Sequence, residues 1–579
     1  MNARTKSGGI MGLGEDYIRA YKELRTMPRI GMSPMNYIIG IVLIPTLIAI
    51  LLATTAILVF PEIFEDDIVK LIVVAVLIFI PIMLNLLPVI IYQKRGHDID
   101  QDMHLFITRM GVLSQSDVSR KGMFNLLQHM KEYRALAVEV QKIYMLADKW
   151  HISLEKACRT VAELTPSRVF GDFLLRLAHA VETGEPVEAF FKNEQIVVMN
   201  QYSANYESAL RSVSVLQDAF ISTITALCFI IVFAELIPML VGIDATLEMG
   251  LVIVMFVMTE SIFLYLIYGM VPGEHIWHTM DIETETEKKI KYTTIIAGLG
   301  CIAVGVFAFL TPDLPIQFAI ALTFTPLILP GLYINWEEEQ ITRRDENYPS
   351  FIRSLGISAE TKGRDISYAL KSLRTHDFGP LTQNINDLYK RTAMRINRIK
   401  SWHYFGAETG SELISKFSEM YVEGTGTGGN PKQIAQIISD NFIKIIALRM
   451  HRFKTSANLT GILYGLCVAI VFVLFMTLQV VNNFYNLFKT IDFGATELTF
   501  LKYNSLYLGQ GAFDLNLMTF LLLFICSFHA LISSIITRVM KGGHKLGACT
   551  HFVAMMWIIA FTSYISSEVI VQLMSWRGI

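Results

Sequence analysis

Long apolar runs alternate with polar segments along the whole chain. About nine of these runs are long enough to cross a lipid bilayer as α-helices. They cover residues 37–60, 68–92, 218–241, 248–271, 293–310, 314–334, 458–482, 515–538 and 547–571. The pattern therefore predicts a polytopic membrane protein with about nine transmembrane helices.

Two long polar segments, residues 93–217 and 335–457, separate groups of apolar runs. Within both, apolar residues recur three and four positions apart, as in MKEYRALAVEVQKIYMLADKW, which begins at Met130. This spacing is typical of amphipathic helices, and no period-two run favours strands. Turn signals such as DKWHIS and LTPS divide each segment into about five or six helices. We therefore predict an all-α fold with two helical bundles beside the membrane.

The composition supports membrane insertion. Of 579 residues, 53% are hydrophobic and only 17% are charged, and the mean hydropathy is +0.45, which excludes an ordinary soluble globular protein. The tail at residues 1–36 is polar and basic, so the first apolar run is predicted to be an anchor rather than a cleaved signal peptide. The six cysteines show no C-x-x-C spacing, so neither a disulfide framework nor a zinc ribbon is expected.

Lys and Arg predict the orientation of the chain. Basic residues such as Arg25 and Arg29 precede the first run and recur after every second run, whereas the opposite loops PEIFEDD, GIDATLE and TPDLP contain none. By the positive-inside rule the N-terminus and both bundles are cytoplasmic, and with an odd number of spans the C-terminus is outside. The predicted order is tail 1–36, spans 37–92, first bundle 93–217, spans 218–334, second bundle 335–457, and spans 458–579 with an outer loop at 483–514.

The chain contains an internal duplication with an offset of roughly 242–245 residues. Phe106-Ile107 aligns with Phe351-Ile352, Gly111 with Gly356, and Gly184-Glu185-Pro186 with Gly429-Asn430-Pro431. Each copy comprises two spans, a bundle and two further spans. Four spans per copy is an even number, so both copies have the same orientation in the membrane.

A glycine-rich stretch, GTGTGG at 424–429, has the glycine spacing of a dinucleotide-binding fingerprint. That fingerprint requires a preceding strand, and the residues before Gly424 have helical spacing instead. The first copy has only Gly184-Glu185-Pro186 at the same place. We therefore predict a longer, looser helix–helix connector in the second copy, with Asn430 as N-cap before Pro431.

Four polar residues lie in the apolar runs: Glu235, Glu260, His529 and Glu568. Ionisable groups in a membrane are costly and are functional candidates for that reason. One interpretation is an interhelical hydrogen bond of Glu235 and Glu260 within one hairpin. The other is contact with the transmembrane helix of a partner. A secondary transporter also uses repeats, but none of these residues is duplicated.

The sequence contains no pattern typical of a catalytic or metal site. His275 and His278 lie near Glu274 and Asp281 but lack the H-E-x-x-H spacing of a zinc helix. His544 and His551 flank Cys549 in a segment that resembles the end of a loop. No nucleophile motif is present. We therefore expect no enzyme activity, no catalytic residue, no cofactor and no metal.

One basic helix stands out in the second bundle. The stretch NINDLYKRTAMRINRIKSW predicts a single helix over 384–402, with a buried stripe formed by Ile385, Leu388, Ile396 and Ile399. Beside the stripe, the same helix would place a ridge formed by Arg391, Arg395, Arg398 and Trp402.

Several long segments resemble one known family. KWHISLEKACRTVAELTPSRVFGDFLLRLAHAVETGE, GAETGSELISKFSEMYVEGTGTGGNPKQIAQIISDNF and GGHKLGACTHFVAMMW occur in the same order as in the platform family of the archaellum, the archaeal motility filament. That family is part of the type II secretion F and pilus-assembly C superfamily. The resemblance covers nearly the whole chain, including both bundles.

The resemblance implies a non-enzymatic membrane platform that couples a hexameric motor ATPase in the cytoplasm to filament insertion and rotation. Its implied partners are archaellin or pilin subunits, other motor-complex proteins, membrane lipids and a second copy of the chain, and no nucleic acid. The platform of an archaeal adhesive pilus or of a type II secretion-like system is an alternative, and a secondary transporter is a distant one. The Arg391, Arg395, Arg398 and Trp402 ridge suits an acidic partner such as the ATPase, or anionic lipid.

Overall fold

The computed structural model describes residues 17, 20–21, 33–47, 50, 67–241, 245–311, 314–363, 365–490 and 515–575. Throughout these ranges the regular secondary structure is helical, apart from one isolated β-bridge between Trp277 and Ser411. The predicted all-α fold is confirmed. The chain divides into two compact units, Met1–Val198 and Met199–Ile579.

The helices of the first part of the chain are α1 (Pro34–Leu47), α2 (Asp67–Leu113), α3 (Arg120–Gln128), α4 (Arg134–Asp148), α5 (Leu154–Leu164), α6 (Arg168–Thr183), α7 (Val187–Val241) and α8 (Ala245–Met270). They continue with α9 (Glu285–Leu310), α10 (Ile316–Phe324), α11 (Ile328–Thr361), α12 (Ile366–Leu373), α13 (Thr382–Ala393) and α14 (Arg398–Thr409). The last are α15 (Glu412–Gly426), α16 (Pro431–Thr490), α17 (Leu515–Lys541) and α18 (Ala548–Ser575).

Seven helical segments among the described residues are long and apolar enough to cross a membrane, counting α10, the 3₁₀ turn Thr325–Leu327 and α11 as one segment. They contain the seven spans predicted from residue 218 onward. The predicted span 68–92 lies within α2. Most of the second half of the predicted span 37–60, including residues 51–60, lies outside the described residues, so the count of nine is not confirmed. Multi-pass membrane insertion follows from the seven helices alone.

The spans continue into the bundles without a break. Helix α7 has 55 residues and α16 has 60, so each is far longer than a bilayer requires. No helix ends at the predicted boundaries 217/218 and 457/458. The sequence there has no Gly-Pro punctuation, and the backbone hydrogen bonding therefore continues from the bundle into the span.

The packed centre of the transmembrane part is formed by α7, α8, α16, α17 and α18. Its fully buried apolar side chains include Ile224, Phe256, Leu463, Leu522 and Met555. Helix α9 is different, since only 17% of its most apolar 18-residue stretch is buried within the protein. Such an apolar surface suits lipid contact.

The two bundles repeat one order of helices. The first bundle comprises the end of α2, helices α3 to α6 and the start of α7. The second comprises α11 to α15 and the start of α16. In each, a short 3₁₀ turn precedes the third helix, at Lys131–Tyr133 and at Gly379–Leu381. Phe106 and Phe351, aligned by the duplication, are both fully buried in their own bundles.

The glycine-rich stretch is a helix end followed by a connector. Helix α15 precedes it, as predicted, and the Asn430 side chain accepts hydrogen bonds from the backbone N–H groups of Lys432 and Gln433 at 3.0 and 3.3 Å. The expected looser connector is wrong in extent, because α15 continues through Gly426. Gly428 then adopts a left-handed φ of 91°, and Gly184 takes the same role in the first copy with φ 73°.

Candidate functional site

The connector between α8 and α9, residues 271–284, is bonded to the second bundle. The His278 N–H donates to the Gly410 carbonyl at 3.0 Å, and the Glu412 N–H donates to the Ile276 carbonyl at 3.1 Å. The Glu412 carboxylate in turn accepts from the Thr279 N–H at 2.8 Å. These bonds attach the connector to the turn between α14 and α15.

Arg449 on α16 is the central cation of this region. Its guanidinium donates to Glu274 in the connector at 2.7 Å and to Asp345 on α11 at 2.6 Å. Asp345 also accepts a hydrogen bond from Ser411. The side chains of Arg449 and Asp345 are only 4% and 2% exposed, so the pair is almost fully shielded from water.

A second buried ion pair joins α11 to the end of α17. Arg538 contacts the carboxylate of Glu338 and donates to the His544 carbonyl at 2.6 Å. Glu338 also accepts from the Trp277 indole N–H at 2.9 Å and from the His544 N–H at 2.8 Å. One carboxylate therefore links the connector, the second bundle and the turn between α17 and α18.

Arg452 caps α17. Its guanidinium donates to the carbonyls of Met540 and Val539 at 2.7 and 3.0 Å, and so satisfies two of the terminal carbonyls that the helix leaves unpaired. Gly542 has φ 76°, and a Cβ there would lie 2.6 Å from the Arg452 guanidinium. A Cβ at Gly547 would lie 2.4 Å from that of Arg538. These close approaches explain the glycines in GGHKLG.

We call these groups and their bonds the polar junction. It comprises the partly buried Glu274 and five buried side chains, those of Glu338, Asp345, Arg449, Arg452 and Arg538. Removing one member of a buried ion pair leaves an uncompensated charge, at a cost of about 3–5 kcal/mol. The junction therefore bonds the second bundle to the transmembrane helices.

Two histidines at the junction are held neutral by burial. Burial lowers the pKa of His278, and the carboxylates of Glu287 and Glu412 only partly oppose this effect. Burial also lowers the pKa of His544, helped by the positive charge of Arg538. Protonation of either ring is therefore unfavourable in the folded protein.

No motif in the sequence marks the cations of the junction. Arg449 and Arg452 lie less than three helical turns before the predicted span at 458, and Arg538 ends the span at 515–538. Their position on long, uninterrupted helices is the signal that would have indicated burial.

The predicted basic helix over 384–402 is wrong, because the chain turns at Met394–Asn397. Helix α13 ends at Ala393 and α14 begins at Arg398, with Arg395 in a left-handed conformation at φ 56°. Asn397 caps the new helix by accepting from the Lys400 N–H at 3.2 Å. No Gly or Pro marks this turn. The helical spacing of apolar residues therefore predicts one uninterrupted helix across it.

The four ridge residues consequently do not share one face. Arg391 is paired with Glu408 and lies over the Tyr404 ring, and Arg398 donates to the Val422 carbonyl at 3.2 Å. Trp402 is buried, at 2% exposure. Arg395 is exposed. The predicted stripe also divides: Ile385 and Leu388 are buried, whereas Ile396 and Ile399 are exposed.

Glu260 forms a contact that the sequence analysis did not predict. Its carboxylate lies 2.6 Å from His529 Nδ1, and both side chains are at most 1% exposed. Of the two interpretations, a hydrogen bond within the α7–α8 hairpin does not describe Glu260, since its carboxylate is bonded to His529 on α17. Glu235 is 3% exposed, and neither carboxylate oxygen has a hydrogen-bond partner among the described residues. Glu568 is exposed on α18.

The other candidate histidines are placed separately. His551 lies 3.0 Å from the Tyr464 hydroxyl, and His544 caps a short turn through Leu546 N–H. In the part of the chain that the structure describes, no group of three or more His, Cys, Asp or Glu side chains could hold a metal ion.

Comparison with known proteins identifies related chains. Residues 106–238 match the family described as type II secretion system (T2SS), protein F. This match begins at Phe106 and covers most of the first bundle and the transmembrane part of α7.

Two full-length relatives are similar to almost the whole chain. Flagella accessory protein J of Methanocaldococcus jannaschii is 32% identical over 562 residues, which cover 95% of this chain and 97% of that protein. Flagella accessory protein J of Methanococcus voltae is 33% identical over 556 residues, covering 94% and 98%. No solved structure matches the chain.

Proposed function

The chain belongs to the family of flagella accessory protein J, and from this premise we infer that it is the membrane platform of an archaellum. In this role it couples a hexameric motor ATPase in the cytoplasm to the insertion of filament subunits and to filament rotation. It acts as a structural component without catalytic activity of its own.

The polar junction is the observation that carries this proposal. Helices α11 and α16 each run from the second bundle into the transmembrane part as one continuous helix. Arg449 bonds α16 to α11 and to the connector between two spans. A displacement of the second bundle would therefore move the spans, as a coupling platform requires.

The proposed arrangement has its motor side in the cytoplasm and its filament side in the membrane. From the basic flanks of the spans we infer that the bundles and the N-terminus lie inside and the C-terminus outside. Two copies form the platform. Glu235, buried and unpaired within the described part of α7, is our candidate for contact with the transmembrane helix of an archaellin or pilin subunit.

A complementation experiment tests this function. A strain that lacks the gene should have no filaments by electron microscopy, and the wild-type gene should restore them. The Arg449→Gln variant should insert into the membrane but fail to restore filaments or swimming. The exposed Arg343→Gln variant is the matched control, since Arg343 is 56% exposed and, among the described residues, forms an ion pair only with Glu339 on its own helix. Normal filaments in the deletion strain, or hydrolysis of ATP or peptide by the purified protein alone, would refute the proposal.

A further inference from the structure

Each bundle has the same unusual turn between its third and fourth helices. In the first bundle it connects α4 to α5 and holds His151 at φ 54°; in the second it connects α13 to α14 and holds Arg395 at φ 56°. Left-handed φ values are uncommon for residues other than glycine, and for the bulky Arg the cost is greater. His151 and Arg395 are 244 residues apart. This offset lies within the range of 242–245 residues that relates the two copies, so the two residues align.

Both turns present large apolar side chains to solvent. Trp150 is 73% exposed in the first turn, and Met394 is 74% exposed at the aligned position of the second. Ile396 and Ile399 extend the second surface, at 43% and 60% exposure. We call residues 149–152 the first exposed turn and residues 394–400 the second exposed turn. Clustered exposed apolar groups outside a membrane indicate an interaction surface.

The second exposed turn lies at the end of its bundle that is remote from the membrane. Helix α11 is bonded to α16 at the junction through Asp345, and Glu360 at its other end accepts from Asn430 at 3.0 Å. About 15 helical residues separate these contacts, a rise of about 22 Å. Arg398, at the start of α14, bonds to Val422 near the same remote end.

The first exposed turn has the same position within its own bundle. Arg95, just after the predicted span of α2, lies 2.6 Å from Glu139 on α4. Helix α5 spans the same length of the bundle: after its end, the Ser167 hydroxyl donates to Asp100 of α2, whereas Leu154 at its start lines one pocket with Met110 and Glu185 near the far end of α2. Trp150 lies just before that start. Neither turn is therefore placed to lie on lipid.

The charge at both turns is positive. Lys149 is exposed beside Trp150, and Arg395 and Lys400 are exposed around Met394 and Ile399. Within the described residues, none of these three cations has a carboxylate partner. The surface therefore combines apolar anchors with an unneutralised basic rim, and it is complementary to an apolar pocket with an acidic rim.

We propose that the two exposed turns are a duplicated docking element for a soluble protein whose surface carries apolar pockets with acidic rims. We identify this partner as the cytoplasmic motor ATPase, an identification that rests on the function proposed above. The two strained turns hold the anchors Trp150 and Met394 away from their own bundles. Of the four residues predicted from the sequence as docking candidates, Arg395 and Arg398 lie in the second exposed turn, and only Arg395 is exposed, because Arg398 donates to the Val422 carbonyl.

A binding measurement tests the proposal. The full chain is inserted into lipid nanodiscs, and the affinity of the purified motor ATPase from the same cell is measured. The combined variant Trp150→Ser, Met394→Ser and Ile399→Ser should bind at least about tenfold more weakly, because exposed anchors of this kind dominate interface energies. Its thermal unfolding should match that of the wild type, since all three side chains are exposed.

Matched controls come from the same two bundles. Leu164 and Tyr368 are also large, exposed side chains, at 48% and 63%, but they lie outside the turns. The Leu164→Ser and Tyr368→Ser variants should bind within about twofold of the wild type. Equal affinities for the triple variant and these controls would overturn the docking element while the proposed function stands.

Two further results of the binding measurement would have different meanings. If wild-type protein failed to bind the ATPase at all, the coupling function itself would be wrong. If the triple variant lost affinity only in nanodiscs that contain anionic lipid and not in zwitterionic ones, the turns would be lipid contacts. That result would also overturn the proposal.

Discussion

The guanidinium of Arg449 lies 2.7 Å from the carboxylate of Glu274, although 175 residues separate them along the chain. Arg449 belongs to the helix that leaves the second bundle, and Glu274 belongs to the connector between two spans. Because the same guanidinium also contacts Asp345, one side chain joins three segments. The bundle is thereby fixed to the membrane part.

Substitution of Arg449 should therefore destabilise the protein strongly. Arg449→Gln leaves the Asp345 and Glu274 carboxylates buried without their cation, which costs about 3–5 kcal/mol. The change is measured as the free energy of unfolding in detergent or nanodiscs. Arg343→Gln, on the exposed face of α11, should change it by no more than about 0.5 kcal/mol. Similar losses for the two variants would show that the junction is not a stabilising contact.

The junction should weaken as the pH falls. Burial lowers the pKa of His278 and of His544 in the folded state, whereas in the unfolded chain both titrate near about 6.5. Below that pH these two rings bind more protons in the unfolded chain than in the folded one, so the stability that they contribute is complete above about pH 6.5 and declines below it. Unfolding temperatures at a series of pH values measure the slope.

Variants without these rings provide the control for the pH effect. The His278→Gln and His544→Asn variant should lose part of the decline between about pH 6.5 and 5. Asn retains an acceptor for the Leu546 N–H that His544 now caps. An unchanged slope in this variant would assign the acid sensitivity to other groups.

Glu260 and His529 should stabilise the folded protein only when both side chains are present. His529→Leu leaves a fully buried carboxyl group without its partner and should destabilise the protein, whereas the double variant with Glu260→Leu should recover part of the loss. A double-mutant cycle on unfolding should give a coupling energy of about 0.5–3 kcal/mol. Additive effects of the two substitutions would contradict the contact.

The glycines near the start of α16 should differ from one another. Gly426 lies within α15 with nothing near its Cβ position, so Gly426→Ala should be neutral or stabilise by up to about 1 kcal/mol. Gly428 has φ 91°, so Gly428→Ala should destabilise by about 1 kcal/mol. Nucleotide binding that was lost in the double variant would revive the phosphate-site interpretation.

The predicted orientation is accessible to chemical labelling. A cysteine introduced at Thr375, exposed in the second bundle, should be protected from an impermeant thiol reagent in intact cells. A cysteine at Asn504, in the predicted outer loop and outside the described residues, should react. Labelling of the opposite kind would reverse the orientation of the chain.

Features set by local pattern were determined by the sequence alone. Helices and the seven spans from residue 218 onward depend on residue spacing, hydropathy and bilayer thickness, which are readable over short windows, and the duplication is readable by comparing the sequence with itself. The Asn430 cap is local in the same way, because its bonds reach only two and three residues ahead. The helical context of Gly424 excluded a nucleotide fingerprint for the same reason.

Only the tertiary structure decided which polar groups meet. Glu260 and His529 are 269 residues apart, and nothing in either local sequence identifies the other as its partner. The turn at Arg395 shows the same limit, because a left-handed arginine is unfavourable by itself. Contacts of Arg391 with Glu408 and of Arg398 with Val422, which form only after α13, α14 and α15 have packed, hold it in place. Helical periodicity is a property of neighbouring residues, whereas the path of the chain depends on contacts between distant ones.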